Sequence, residues 1–166
     1  MILEESTLSV KKVPDSSKVG LYYLFKTQHY FMSLTLGELR GITDAVLNAL
    51  KAQGISDADS LLEATRTPED RKALSSASGV DSKAILELAN RADLARIKGI
   101  GRVYSDLMEE AGVDTVKELA QRSADNLHAK LIQINKVRQY TQRPPSVEQI
   151  GDFVEQAKKL PRMLEY

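Results

Sequence analysis

Val147, Ile150, Phe153, Val154 and Ala157 recur at the three- and four-residue spacing of one helix face, so the chain predicts an amphipathic helix there. Pro144-Pro145 breaks the chain before that helix and Pro161 ends it. Thr35 with Glu38, and Ser146 with Gln149, have the spacing of capping boxes. Thr67-Pro68-Glu69 places a capping hydroxyl, a proline and an acid where a helix begins. Gly54 and Gly112 are expected to stop helices in a left-handed turn, and Asp114 to cap a helix starting at Thr115. No long β-branched alternation follows residue 33, so that region is expected to be all-α.

The apolar pattern occurs twice. LGELRGITDAVLNALKAQGISDADSLLEA, from Leu36, aligns without a gap on LARIKGIGRVYSDLMEEAGVDTVKELAQR, from Leu94, at an offset of 58 residues. Leu36 falls on Leu94, Leu39 on Ile97, Arg40 on Lys98, Gly41 on Gly99, Ile42 on Ile100, Leu50 on Met108, Gly54 on Gly112, Ile55 on Val113 and Leu61 on Leu119. After a shift of seven residues, DSKAILELANRA from Asp81 resembles SVEQIGDFVEQA from Ser146. The chain reads as two copies of one unit, 33–91 and 92–166, the second with a C-terminal helix, folded into a compact helical bundle behind an irregular N-terminal arm, 1–32.

Composition narrows the functional classes. With 166 residues the chain can bury a real core. The absence of Cys excludes disulfides, thiolate metal sites and a Cys nucleophile. Lys plus Arg and Asp plus Glu each total 23, which argues against coating nucleic acid by bulk charge. Nine aromatics and no Trp argue against stacking platforms for single strands. No secretory pattern and no membrane-length apolar run is visible, so a cytoplasmic location without membrane contact is expected. Phosphate loops, GxSxG, GxGxxG and clustered His spacing are absent, and no carboxylate sits in an apolar run. A non-enzyme without cofactor, metal or small-molecule substrate is therefore expected.

The sharpest local signal is LARIKGIGRVYSDLM, Leu94 to Met108. It resembles the helix-hairpin-helix motif, with Gly99-Ile100-Gly101 as the turn, Ser105 as the small position and Leu107-Met108 as the apolar pair. Glycine enters such a turn without strain, and Ile100 would anchor it inward. The following helix would offer free N–H groups and its positive pole to an anion, with Lys98 and Arg102 flanking and Val103 in its first turn. The resemblance implies DNA contact through phosphates, without sequence readout, or a packing and protein-contact role. It also implies, for some members, a monovalent cation on turn carbonyls, here residues 97–102. The first copy departs from the motif: Thr43 replaces the second glycine, Asp44 stands opposite Arg102, and Leu47 fills the small position. That copy reads as degenerate and structural. The segment order from Leu36 to Tyr166 is similar to a bacterial family known as domain of unknown function 4332, which brings no activity with it.

Charge is segregated along the chain. Asn126 to Val147 holds no acid but holds Lys130, Lys136, Arg138 and Arg143, whereas Asp106 to Asp125 holds six acids against Lys117 and Arg122. A basic strip beside the second hairpin would extend a phosphate-binding face. The opposite reading is a dipolar surface for a protein partner or a second copy of the chain. The expected function is accordingly a non-enzymatic module contacting duplex DNA, with a scaffold or homodimer as the alternative. Five aromatics from Tyr22 to Phe31 suggest a docking arm or a cover for the repeats, unless Met32 is the natural start.

Overall fold

In the computed structural model, residues 34–166 are described. The expectations for the arm at 1–32, its aromatics and Met32 lie outside the described residues. A 3-10 turn at Leu36–Glu38 leads into α1 (Asp44–Ala52), α2 (Ala58–Glu63), α3 (Pro68–Ser78) and α4 (Ser82–Leu94). Then follow α5 (Arg102–Glu110), α6 (Val116–Leu119), α7 (Ala124–Arg138) and α8 (Val147–Lys159). The described residues are all-helical, with one isolated bridge, Thr35 to Asp57.

Local chemistry sets most boundaries. The capping boxes at Thr35–Glu38 and Ser146–Gln149 form, and Thr67 caps α3 with Pro68 at its first position. Gly54 and Gly112 take φ of 80° and 72°, the left-handed region glycine enters freely. One expectation is corrected: Thr115, not Asp114, caps α6, accepting from Glu118 N at 3.3 Å. The Asp114 amide instead donates to Glu118 Oε2 at 2.8 Å, and burial raises the Asp114 carboxyl above its ordinary range, with Glu118 and Glu109 adding repulsion.

The first four helices and the last four share a plan. The helices α1 and α5 begin at Asp44 and Arg102, and α2 and α6 at Ala58 and Val116, both pairs 58 residues apart. The helices α4 and α8 begin at Ser82 and Val147 and end at Leu94 and Lys159, 65 apart at both ends. The intervening α7 has 15 residues where α3 has 11, which takes up part of the seven-residue difference. Packing follows suit: α1 meets α3, α2 meets α4 and α3 meets α4, while α5 meets α7, α6 meets α8 and α7 meets α8.

Among the described residues, the buried apolar side chains fall into two clusters. One runs from Leu36 to Ala92, and the other from Leu94 to Ala157. The C-terminal tail crosses back to the first. Leu164 is 2 % exposed there, Glu165 N donates to Arg66 O at 2.8 Å, and the buried Arg71 guanidinium donates to the carbonyls of Thr65 and Glu165 at 2.8 and 2.7 Å. Burial pushes the Tyr166 hydroxyl up to about 12, and that hydroxyl donates to Asn90 Oδ1 at 2.8 Å. Deleting the Leu164 side chain should therefore matter despite its place near the chain end. Leu164→Ala is expected to lower the unfolding free energy by about 2–3 kcal/mol, read as a shifted urea midpoint at unchanged slope.

Candidate nucleic-acid interface

The site is built at the start of α5. Gly99 holds φ of 99°, and a Cβ there would lie 2.9 Å from Phe153 Cε1, so only glycine fits both the turn and the core behind it. Ile100 is 3 % exposed and anchors the turn, donating its N–H to Ile97 O at 3.0 Å. Ser105, Leu107 and Met108 are buried.

Gly101 differs from Gly99. It is the N-cap of α5, with extended backbone at φ −99° and ψ −165° and nothing within 4 Å of an added Cβ. Having no side chain, it supplies no cap bond. Among the described residues, no side chain accepts from the amides of Arg102, Val103 or Tyr104. The matching turn of the first copy is closed: Thr43 caps α1 by accepting from Val46 N at 3.3 Å. Thr43 is thus a working cap at a position that never needed glycine, and the first turn keeps its left-handed Gly41 at φ 81°. Threonine in place of the second glycine changes the surface chemistry and leaves the turn intact.

Neighbouring elements fix this helix end. The Gln156 side chain on α8 clamps the Lys98 peptide, accepting from its N–H at 2.8 Å and donating to its carbonyl at 3.2 Å. Gln156 Nε2 also donates to Asp152 Oδ2 at 2.8 Å, which places one carboxylate behind the turn. With Ile97 and Lys98 carbonyls engaged, the turn has fewer oxygens left for a cation. Tyr104 OH donates to Arg143 O at 2.9 Å, and the Asn135 side chain pins Thr141 on both its N–H and its carbonyl, so the loop carrying Arg143 is held against the first turn of α5.

Lys98, Gly99, Gly101, Arg102 and Arg143 are exposed, and Val103 is 41 % exposed. Arg102 and the Arg143 guanidinium make no ion pair among the described residues. The basic run on α7 disperses. Lys130 and Lys136 are exposed, but six residues at 100° each set them about 120° apart around the helix. Arg138 turns to Glu110, with Nη2 3.6 Å from Oε1. Helical spacing alone separates Lys130 from Lys136, whereas the pairing of Arg138 with α5 needed the fold. Spacing also did not reveal Gln156 and Tyr104, whose roles depend on partners 58 and 39 residues away.

Two acids also escaped the sequence reading. Asp93 and Asp106 are 3 % and 6 % exposed, although neither lies in an uninterrupted apolar run. Asp106 Oδ2 accepts from Arg40 Nη1 at 2.6 Å, and this contact holds the Arg40 guanidinium above its ordinary pKa. Arg40 is the residue that aligns with Lys98, so the base of the first turn is turned onto α5. No helix among the described residues is long and apolar enough to cross a membrane.

Residues 40–160 match the sequence profile of a family described as Domain of unknown function (DUF4332). No curated protein and no solved structure matches the chain.

Proposed function

Because this chain belongs to the DUF4332 family, whose description carries no activity, we propose a function from its own surface: a non-enzymatic module gripping nucleic-acid phosphates without sequence readout. In this reading the two sets of four helices are tandem helix-hairpin-helix units, divided near residue 92, and only the second keeps an open anion site. The single observation behind it is the contrast at the two aligned caps, Thr43 closing α1 and Gly101 leaving α5 bare. A helix N-terminus with uncapped amides attracts an anion through N–H donors and its positive pole together. Arg102 in the first turn and the tethered loop of Arg143 add cations beside it. Duplex DNA, with phosphates at regular spacing, is the expected partner. Lys130 and Lys136 then act as outlying charges rather than one strip.

The experiment is a salt-titrated binding measurement on duplex and single-stranded DNA. Binding to duplex should weaken with salt at a slope of about −0.9 per phosphate neutralised. The double variant Lys98→Glu with Arg102→Glu should abolish it. Gly101→Thr copies the first cap into the second, and should weaken binding while changing stability by less than about 0.5 kcal/mol. Unchanged affinity in both variants would remove the reading. The scaffold alternative rests on Val137, 81 % exposed on α7. It requires a mass that rises with concentration and no shift of duplex at low salt.

A further inference from the structure

The other end of α5 carries the reverse charge. Asp106, Glu109 and Glu110 stand in its C-terminal half, and its last turn holds no base. Carboxylates at the negative pole of a helix are unfavourable unless a cation offsets them. These three line a cleft of about 590 Å³ with Arg40, Glu87, Arg91 and Tyr140.

The cations of the cleft are already engaged. Arg40 Nη1 is on Asp106 Oδ2 and its guanidinium lies 5.4 Å from the centre of the Tyr140 ring. Arg91 gives Nε and Nη2 to Glu109 Oε2 at 3.2 and 2.8 Å, and Nη1 to the Arg40 carbonyl at 2.7 Å. Glu110 Oε1 is also served, by Tyr140 OH at 3.1 Å and by Arg138 Nη2 at 3.6 Å from the edge of the cleft, so four carboxylates face three guanidiniums and the surplus falls on Asp106 and Glu87. Asp106 is 6 % exposed, and its Oδ1 has no hydrogen-bond partner among the described residues. A buried acceptor left without a donor is unfavourable, so an incoming N–H gains more there than at the surface. Glu87 makes no ion pair among the described residues. An anion would meet this surplus and be repelled. No group of three His, Asp or Glu side chains among the described residues is placed to hold a metal ion. A compact ammonium, with three N–H donors and one positive charge, answers both the orphaned oxygen and the charge.

We propose that this cleft binds an alkylammonium group, carried by a small diamine or by a lysine side chain, with Asp106 and Glu87 as its main acceptors. The Arg40 side chain is 44 % exposed and is the wall that moves to admit it. The site is independent of the phosphate reading, which uses the opposite end of α5.

The test is an NMR titration of the full chain at low salt with 1,4-diaminobutane and, separately, with a lysine blocked at both backbone ends. Butane-1,4-diol is the neutral control. Saturable shifts centred on residues 87–91, 106–110 and 140 are expected with an amine and not with the diol. Glu87→Gln should weaken binding by about threefold or more with no change in thermal midpoint, since it removes one partly exposed charge. Glu63→Gln, outside the cleft, should leave it unchanged. Preference for the diamine assigns the source as a free polyamine, and preference for the blocked lysine assigns a protein side chain. The proposal is overturned if neither amine saturates by about 10 mM, if the shifts lie elsewhere, if the diol acts equally, or if Glu87→Gln binds like the parent.

Discussion

Replacing Asp93 by Ala is expected to lower the unfolding free energy by about 3–5 kcal/mol. Asp93 lies in the last turn of α4 and is 3 % exposed. Its Oδ1 accepts from Arg96 Nη1 at 2.6 Å, in a pair whose side chains are 14 % and 4 % exposed. Its Oδ2 accepts from Val116 N at 2.9 Å. Val116 opens α6, a helix of four residues that cannot sustain itself by its own hydrogen bonds. Thr115 takes one amide of that helix and Asp93 takes another, so a side chain from α4 completes a cap between the two apolar clusters. Arg96 is drawn in as well, since its Nη2 donates to Pro161 O at 2.9 Å where the tail leaves α8. Alanine would strand a buried N–H and a poorly solvated guanidinium together. Asp93→Asn keeps an acceptor for Val116 and loses the charge, so its cost should be about half. Urea unfolding of the two variants distinguishes these terms. A loss below about 1 kcal/mol for the alanine variant would mean that water replaces both contacts.

What the sequence discloses is what is decided locally. Capping boxes, proline starts and left-handed glycines act within a few residues, and the ends of α3 and α8 follow from them. The 58-residue offset was equally legible, because most of the aligned apolar positions are core in both halves: Leu50 and Met108, Ile55 and Val113, and Leu61 and Leu119 are all buried. What Thr43 does at its position was not legible, for a chemical reason. Both glycines of the Gly99-Ile100-Gly101 turn look alike in sequence, yet only the first has positive φ. A residue that replaces the second sits at a helix cap, where threonine is an asset. Asp93 and Asp106 were overlooked because flanking residues say little about a helical position whose burial depends on a helix from elsewhere in the chain. The run from Lys130 to Arg143 reads as one strip only if periodicity is ignored, and Arg138 finds its partner on α5.

Gly99→Val is expected to destabilise the fold by about 3–4 kcal/mol, whereas Gly101→Val should cost less than about 1 kcal/mol. At φ 99° a β-branched residue is strained whatever the space around it, by about 1–2 kcal/mol. The space is also missing: the new Cβ would lie 2.9 Å from Phe153 Cε1 and 3.4 Å from Cζ. Phe153 is 4 % exposed in the second cluster, with the Tyr104 ring 6.3 Å away, so it cannot withdraw without disturbing the helix start it supports. Overpacking of that kind adds about 1–3 kcal/mol. Gly41, at φ 81° in the first turn, faces only the Arg91 guanidinium, with Nη1 at 2.8 Å, the far end of a long side chain that can shift at the cost of its hydrogen bond to Arg40 O, so Gly41→Val should fall between the two. Urea midpoints of the three variants order them directly, and equal losses at 99 and 101 would show that the two glycines do not have separate roles. The expected inequality separates two jobs that one short motif combines. Gly99 makes the bend, and altering it tests the fold. Gly101 leaves the α5 amides bare, so a side chain there changes what the helix end can hold while the bend survives.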